Sequence, residues 1–201
     1  MSENKDLNNE NENEEEITIH SFENNYSNLK PDDIELGKPV VVKRNNDKIF
    51  FSKLKTDIFL ETPELDCMNS FYEHNEKKYI NISLENIILS EKILEIDNKI
   101  INLIKENFKK WFHKSVSIES ILEYFIPTKM YNKDLKSFFI LEVPLFENEI
   151  DINIYDFNNN LIKINDNITI NKTSNIIKLN GVYLEKNKFY CNWELIQTKI
   201  K

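Results

Sequence analysis

The chain has 201 residues, 40% hydrophobic and 11% aromatic, which suits one domain with a real core plus a tail. Its formal net charge of −8 is uneven, because residues 1–36 hold eleven acidic residues against two lysines while the rest is almost balanced. Two glycines are too few for a phosphate-binding loop, no apolar run reaches the ~20 residues of a membrane span, and no His or Cys spacing fits a zinc site.

The acidic segment is predicted to form a disordered arm over residues 1–36. Residues 1–16 are rich in Asn and Glu and almost lack large apolar side chains, so no burial offsets the entropy of ordering. Ile17, Ile19 and Phe22 then suit a short peptide that docks on a partner such as a replication protein, and a plain solubilising tail is the alternative. A Pro and Gly cluster marks the boundary, and a β-rich nucleic-acid-binding domain is predicted over residues 37–201.

The first predicted element of the domain is a hairpin. Pro39–Arg44 is a β-branched run, Asn45-Asn46-Asp47 is a turn, and Lys48–Leu54 alternates between polar and apolar residues. Basic residues interleaved with aromatic rings are what a single-strand groove needs, whereas an ordinary hairpin with solvated lysines gives the same pattern. The candidate binding residues here are Lys43, Arg44, Lys48, Phe50, Phe51 and Lys53.

The middle of the chain adds helices between strands. Asp97 is predicted to cap a helix that runs to about His113, and Ser117 to cap a shorter helix that ends near Phe125. Short strands surround this helical insertion, which predicts a mainly β fold, an OB-like barrel or a sandwich. The first hairpin continues through Asp57–Glu61, and the further predicted strands are Lys78–Leu84, Ser137–Val143, Glu149–Tyr155 and Leu161–Ile164.

The last predicted element is the hairpin formed by Ile176–Leu184 and Phe189–Ile200. Its second strand alternates at period two, so it has two unlike faces, and only one ring of an adjacent pair can face a ligand. Trp193 shares a face with Phe189 and Leu195, which favours a place in the core over contact with a ligand. The candidate binding residues of this hairpin are Tyr183, Lys186, Lys188, Tyr190 and Trp193.

The same hairpin carries a family resemblance. Its pattern G-V-Y-L, a polar turn, then K-F-Y-x-N-W-x-L-I-Q-x-K-I is similar to the C-terminal signature of OB-fold single-stranded-DNA-binding proteins from large double-stranded DNA viruses, or giant viruses. That family is distantly similar to single-stranded-DNA-binding proteins of short-tailed phages, and the stretch KPVVVKRNNDKIFFSKLKTDIFLETPEL extends the likeness upstream.

The resemblance implies a non-enzymatic protein that coats single strands during replication or recombination. Bases would stack on the rings and lysines would contact phosphates, with no cofactor and no metal. The phage proteins carry an acidic tail at the C-terminus, whereas the acidic segment here is N-terminal. The expected partners are single-stranded DNA and, through the arm, replication proteins; a homo-oligomer is compatible with the chain and a membrane partner is not expected.

Two other classes of function remain open on the sequence. A β-sandwich protein of virion structure or assembly fits the nearly neutral body, since dedicated DNA binders usually carry more surplus positive charge. An accessory subunit of a replication or transcription machine is the third candidate. The polar, acidic N-terminus and two distant cysteines predict an intracellular protein. The resemblance to viral proteins implies the host cytoplasm or a viral factory, with packaging in the virion left open.

Overall fold

The computed structural model describes residues 30–44, 47–163, 169–185 and 188–201. The disorder predicted for residues 1–16 and the docking peptide predicted after it lie outside these residues. So do Lys186 and the side chain of Arg44, two of the candidate binding residues.

The described residues form a mainly β fold with two α-helices, as the alternating patterns predict. A short 3-10 helix, Pro31–Asp33, precedes the first strand, and the helices are α1, Ile87–Phe112, and α2, Ile118–Tyr124. The strands are β1 Val40–Arg44, β2 Asp47–Glu61, β3 Leu65–His74, β4 Lys77–Ser83, β5 Met130–Tyr131, β6 Ser137–Val143, β7 Leu145–Phe146, β8 Glu149–Ile150, β9 Asn153–Tyr155, β10 Lys172–Glu185 and β11 Lys188–Ile200.

Hydrogen-bonded pairing closes a ring of strands. Strand β10 pairs with β11, with most of β2 and with the start of β3; β3 pairs with β4, and β4 with β6. A parallel bridge between Glu142 of β6 and Glu194 of β11 completes the circuit β3–β4–β6–β11–β10. The closed arrangement agrees with the predicted OB-like barrel, and β1 lies outside the ring as an edge strand attached to β2.

The core fills the inside of this ring and is covered by α1. Helix residues spaced by three and four, among them Leu89, Ile93, Ile96 and Ile100, are fully buried, as expected for one apolar stripe on a helix. They pack in the same cluster as inward residues of the strands, such as Phe139. Burial of such aliphatic and aromatic side chains is the main stabilising term of the fold.

The prediction for the start of α1 is wrong. The helix begins at Ile87, and its N-cap is Asn86, whose side-chain oxygen accepts a hydrogen bond from Leu89 N at 2.9 Å. Asp97 instead lies buried inside the helix, where its carboxylate accepts hydrogen bonds from Thr128. The cap predicted for α2 is confirmed, because Ser117 Oγ accepts from Ser120 N at 3.1 Å.

The strand predictions differ from the structure in three places. Strand β3 has no counterpart among the predicted elements, whereas Asp57–Glu61 continues β2, as predicted. The predicted strand Glu149–Tyr155 is split into β8 and β9, while Leu161 forms only an isolated bridge with Tyr155.

The segment before β1 contacts the barrel. Ile34 and Leu36 are 1% and 6% exposed and belong to the main core cluster, and Leu36 forms a bridge with Leu54 of β2. The division of the chain into an arm and a domain stays a prediction, but these two residues of the predicted arm pack inside the folded body.

Candidate functional site

A groove of about 450 Å³, here called the main groove, lies between the β3–β4 hairpin and the β10–β11 hairpin. Strand β6 and the segment that follows α2 form the rest of its wall. The residues that line it are Ile49, Tyr72, His74, Asn75, Lys77, Tyr79, Ile126, Pro127, Thr128, Met130, Ile140, Glu142, Glu185, Lys188, Tyr190, Cys191, Asn192 and Trp193.

A smaller hollow of about 280 Å³, here called the side recess, adjoins the main groove and shares Asn75 and Lys77 with it. Strand β1 contributes Val42 and the exposed Lys43 to this recess. Its remaining lining residues are Phe51, Glu76 and Tyr183. The two hollows therefore form one continuous concave surface on the side of the barrel where the two hairpins turn.

Five rings line this surface because of strand register. Tyr72 is paired with Tyr79 across β3 and β4, and Tyr183 of β10 is paired with both Tyr190 of β11 and Phe51 of β2. Side chains paired directly across strands share a face of the sheet and touch. The ring centroids are accordingly 5.8 Å apart for Tyr72–Tyr79, 5.4 Å for Tyr183–Tyr190 and 4.8 Å for Phe51–Tyr183.

Hydrogen bonds hold two of these rings in place. The Tyr72 hydroxyl donates to Asn81 Oδ1 at 2.8 Å, and the Tyr190 hydroxyl donates to Glu185 Oε1 at 2.7 Å. Burial raises the pKa of Tyr72, so this phenol stays protonated and remains a donor. Rings fixed in this way lose little side-chain entropy when a flat ligand stacks on them.

The lysines of the main groove each contact a carboxylate. Lys77 on β4 forms an ion pair with Glu142 on β6. Lys188 forms one with Glu185 at 3.1 Å, and its ammonium lies 5.4 Å from the centre of the Tyr190 ring. Among the described residues, the charges that line the groove are therefore nearly balanced, and these two cations are held against rings and carboxylates.

A buried polar network lies under the groove. The Trp193 indole donates from Nε1 to Thr128 Oγ1 at 3.3 Å, and Thr128 donates through its own hydroxyl and backbone N–H to the Asp97 carboxylate at 2.7 and 2.8 Å. Burial raises the pKa of Asp97 to about 6, against the lowering effect of these hydrogen bonds. Burial and the nearby Asp97 also raise the pKa of the Cys191 thiol, which makes this cysteine a poor nucleophile.

The structure brings part of the predicted site together. Tyr190 and Lys188 line the main groove, and Lys43, Phe51 and Tyr183 line the side recess. Trp193 borders the groove but is only 3% exposed and packs edge-on against Phe139, which agrees with the core position that its neighbours predict.

Other predicted residues lie elsewhere. Phe50 packs against Phe112 of α1 at a centroid distance of 5.1 Å, so Phe50 and Phe51 do face opposite ways, as the alternation requires. Lys48 and Lys53 are exposed and line neither hollow. Lys186 and the Arg44 side chain are outside the described residues.

The sequence reasoning missed Tyr72, Lys77 and Tyr79. The local signal in the sequence is Asn75, because asparagine is favoured in two-residue hairpin turns. In the structure Asn75 and Glu76 form this turn, both with positive φ (51° and 62°). Reading that turn from Asn75-Glu76 would have placed Tyr72 and Tyr79 opposite each other.

Neither a metal cluster of His, Cys, Asp or Glu nor a helix able to cross a membrane occurs in the part of the chain that the structure describes.

A family model matches residues 71–201, well over half of the chain. The chain belongs to that family. Its description is a family of unknown function, DUF5871, and the matched part includes the β10–β11 hairpin and the β3–β4 hairpin from residue 71 onward.

No curated protein matches the chain. Among solved structures, it is similar to the single-stranded DNA-binding protein from bacteriophage Enc34, with a TM-score of 0.45 and 13% identity over 83% of this chain and 89% of that one. The same phage protein in complex with single-stranded DNA gives a TM-score of 0.44 and 13% identity, covering 81% of this chain and 93% of that one. At this distance the likeness does not assign a function.

Proposed function

We propose that the protein binds single-stranded DNA along the main groove and the side recess. The observation that supports this is the continuous concave surface with five aromatic rings and lysines between them. Bases stack on such rings regardless of sequence, and each stacked base contributes ~1–3 kcal/mol. Lysines at the rim, such as the exposed Lys43, contact the phosphates.

The proposed DNA binding has a biological setting. The protein is a non-enzymatic coat for single strands in replication or recombination, and its family serves large double-stranded DNA viruses, as the C-terminal signature implies. It acts inside the host cell, in the cytoplasm or a viral factory. The acidic N-terminal residues recruit replication proteins while the groove holds the strand.

The experiment is a fluorescence-anisotropy titration of a labelled mixed-sequence single strand with the full chain at two salt concentrations. We expect saturable binding that weakens as salt rises, because phosphate contacts release counterions. The variant Tyr72→Leu/Tyr190→Leu removes one ring from each hairpin and should weaken binding by roughly 2–6 kcal/mol if each ring stacks on one base.

Tyr131→Leu is the matched control for the ring variant. Tyr131 is also a tyrosine on a strand, it is 61% exposed and it lines neither hollow. This control should bind like the unchanged protein. If the full chain binds no single strand even at low salt, or if the control loses as much affinity as the groove variant, the proposed function is wrong. Absence of binding would favour an assembly protein, whose nearly neutral surface contacts other proteins.

A further inference from the structure

We infer that the ion pair of Lys77 and Glu142 reads the base, so that the groove prefers bases with an exocyclic amino group over thymine and uracil. This inference rests on the proposed function. It assigns the carboxylate in the groove a role in specificity that a purely phosphate-binding surface would not need.

The position of the pair supports a contact with base edges. Glu142 of β6 is the cross-strand partner of Tyr79 of β4, so its carboxylate lies beside a ring on the same face of the sheet. Lys77 reaches the same carboxylate from the start of β4. A base stacked on Tyr72 or Tyr79 has its polar edge in the plane of its own ring, and that edge meets the ion pair at the side of the stack.

The chemistry of the two groups then discriminates. An ionised carboxylate only accepts hydrogen bonds and has about four lone-pair positions, so Lys77 leaves positions for a second donor. The exocyclic amino group of cytosine or adenine is such a donor, and the ring nitrogen beside it accepts from an ammonium. Thymine and uracil carry no exocyclic N–H; their single ring N–H lies between two carbonyl oxygens, which the carboxylate repels.

The same carboxylates keep the phosphates away from the centre of the groove. Glu142 and Glu185 both line it, and a phosphate beside either would add a second negative charge at short range. The backbone therefore follows the rim, where Lys43 is exposed, and the bases point inward. This orientation is the one that brings base edges to Glu142.

The test compares labelled oligo-dC with oligo-dU of equal length near neutral pH, where cytosine N3 is unprotonated. Uracil replaces thymine so that the methyl group does not contribute. We expect the full chain to bind oligo-dC about 5-fold more tightly or better, the lower end of the discrimination that a good base-specific contact gives. Glu142→Gln should bring the ratio of the two affinities close to one, since an amide donates and accepts equally well.

The control variant is Glu73→Gln. Glu73 is exposed on β3, next to Tyr72 in sequence, but does not line the groove, so this change removes the same charge and should leave the ratio unaltered. Equal affinity for the two oligonucleotides, or a preference that persists in Glu142→Gln, would overturn the inference and leave the proposed function intact. No binding to either would remove the proposed function and this inference with it. Melting temperatures of both variants show that they are folded.

Discussion

Substitutions of Trp193 show whether this side chain packs in the core or contacts DNA. The side chain is 3% exposed, packs edge-on against Phe139 at 6.5 Å between ring centroids, and donates to Thr128 Oγ1. Trp193→Ala removes all of these contacts and leaves a cavity, which costs about 3–5 kcal/mol in comparable cores. Small domains have only ~5–15 kcal/mol in total, so this variant should be marginally folded.

Trp193→Phe separates stability from binding more cleanly. Phenylalanine keeps a ring against Phe139 but cannot donate to Thr128, so we expect a loss of about 1–2 kcal/mol in the free energy of unfolding. Because the indole offers almost no surface to a ligand, the affinity for single-stranded DNA should stay within about twofold, whereas loss of a stacked base costs ~1–3 kcal/mol. Urea denaturation followed by the fluorescence of Trp111, the other tryptophan, gives the first quantity, and anisotropy gives the second.

The opposite pattern would contradict a core position for Trp193. A Trp193→Phe protein with an unchanged denaturation midpoint and clearly weakened DNA binding would mean that Trp193 contacts the strand. In that case the buried position of Trp193 would have to open when DNA binds, and the Asp97–Thr128 network beneath it would be part of the binding surface.

Three further predictions concern the barrel, pH and the arm. Gly181→Ala should lower the free energy of unfolding by at least ~1–3 kcal/mol in urea denaturation, because its Cβ would lie 2.3 Å from the Ser52 carbonyl oxygen; Gly37→Ala, with 3.0 Å to the nearest oxygen, is the milder control. The pKa of Asp97 is raised to about 6 in the folded protein, so the folded state binds this proton more tightly than the unfolded chain does. Protonation of Asp97 therefore stabilises the fold; this stabilisation is fully present below pH ~4 and is lost as pH rises through about 6. Relative to Asp97→Asn, the unchanged protein should gain about 1.4 kcal/mol between pH 7 and pH 5, and no change would contradict the assignment. Deletion of residues 1–29, which hold eight acidic residues against one lysine, should tighten binding at low salt, and a loss of affinity would place the arm in the binding site.

The helix α1 shows what local patterns could not determine. The apolar stripe predicted its face and its end near His113, but Asp97 resembled an N-cap because acidic residues commonly start helices. The structure buries that carboxylate against Thr128, thirty-one positions along the chain, and only tertiary contact shows that its hydrogen-bond partners are there. A cap signal is local, whereas the partner of a buried carboxylate is not.

The walls of the main groove were also only partly predictable from the sequence. Sequence could pair Tyr183 with Tyr190, since they lie on one hairpin, and could show that Phe50 and Phe51 face opposite sides. It could not show that Tyr183 also pairs with Phe51, because the register between β10 and β2 joins distant parts of the chain. Nor could it show that the β3–β4 hairpin lies across from the β10–β11 hairpin, since the pairing of β4, β6 and β11 brings these two turns together.

Charge pairing explains how a nearly neutral body is compatible with the proposed function. The sequence already shows that the body is nearly neutral, and in the structure Lys77 and Lys188 of the groove contact Glu142 and Glu185. On the proposed function these two lysines stay with their carboxylates, and the phosphates contact exposed lysines at the rim, such as Lys43, where the counterions are released. On the proposed function, stacking on five rings therefore provides most of the affinity, and carboxylates that weaken phosphate binding are retained because they position the rings and meet the bases.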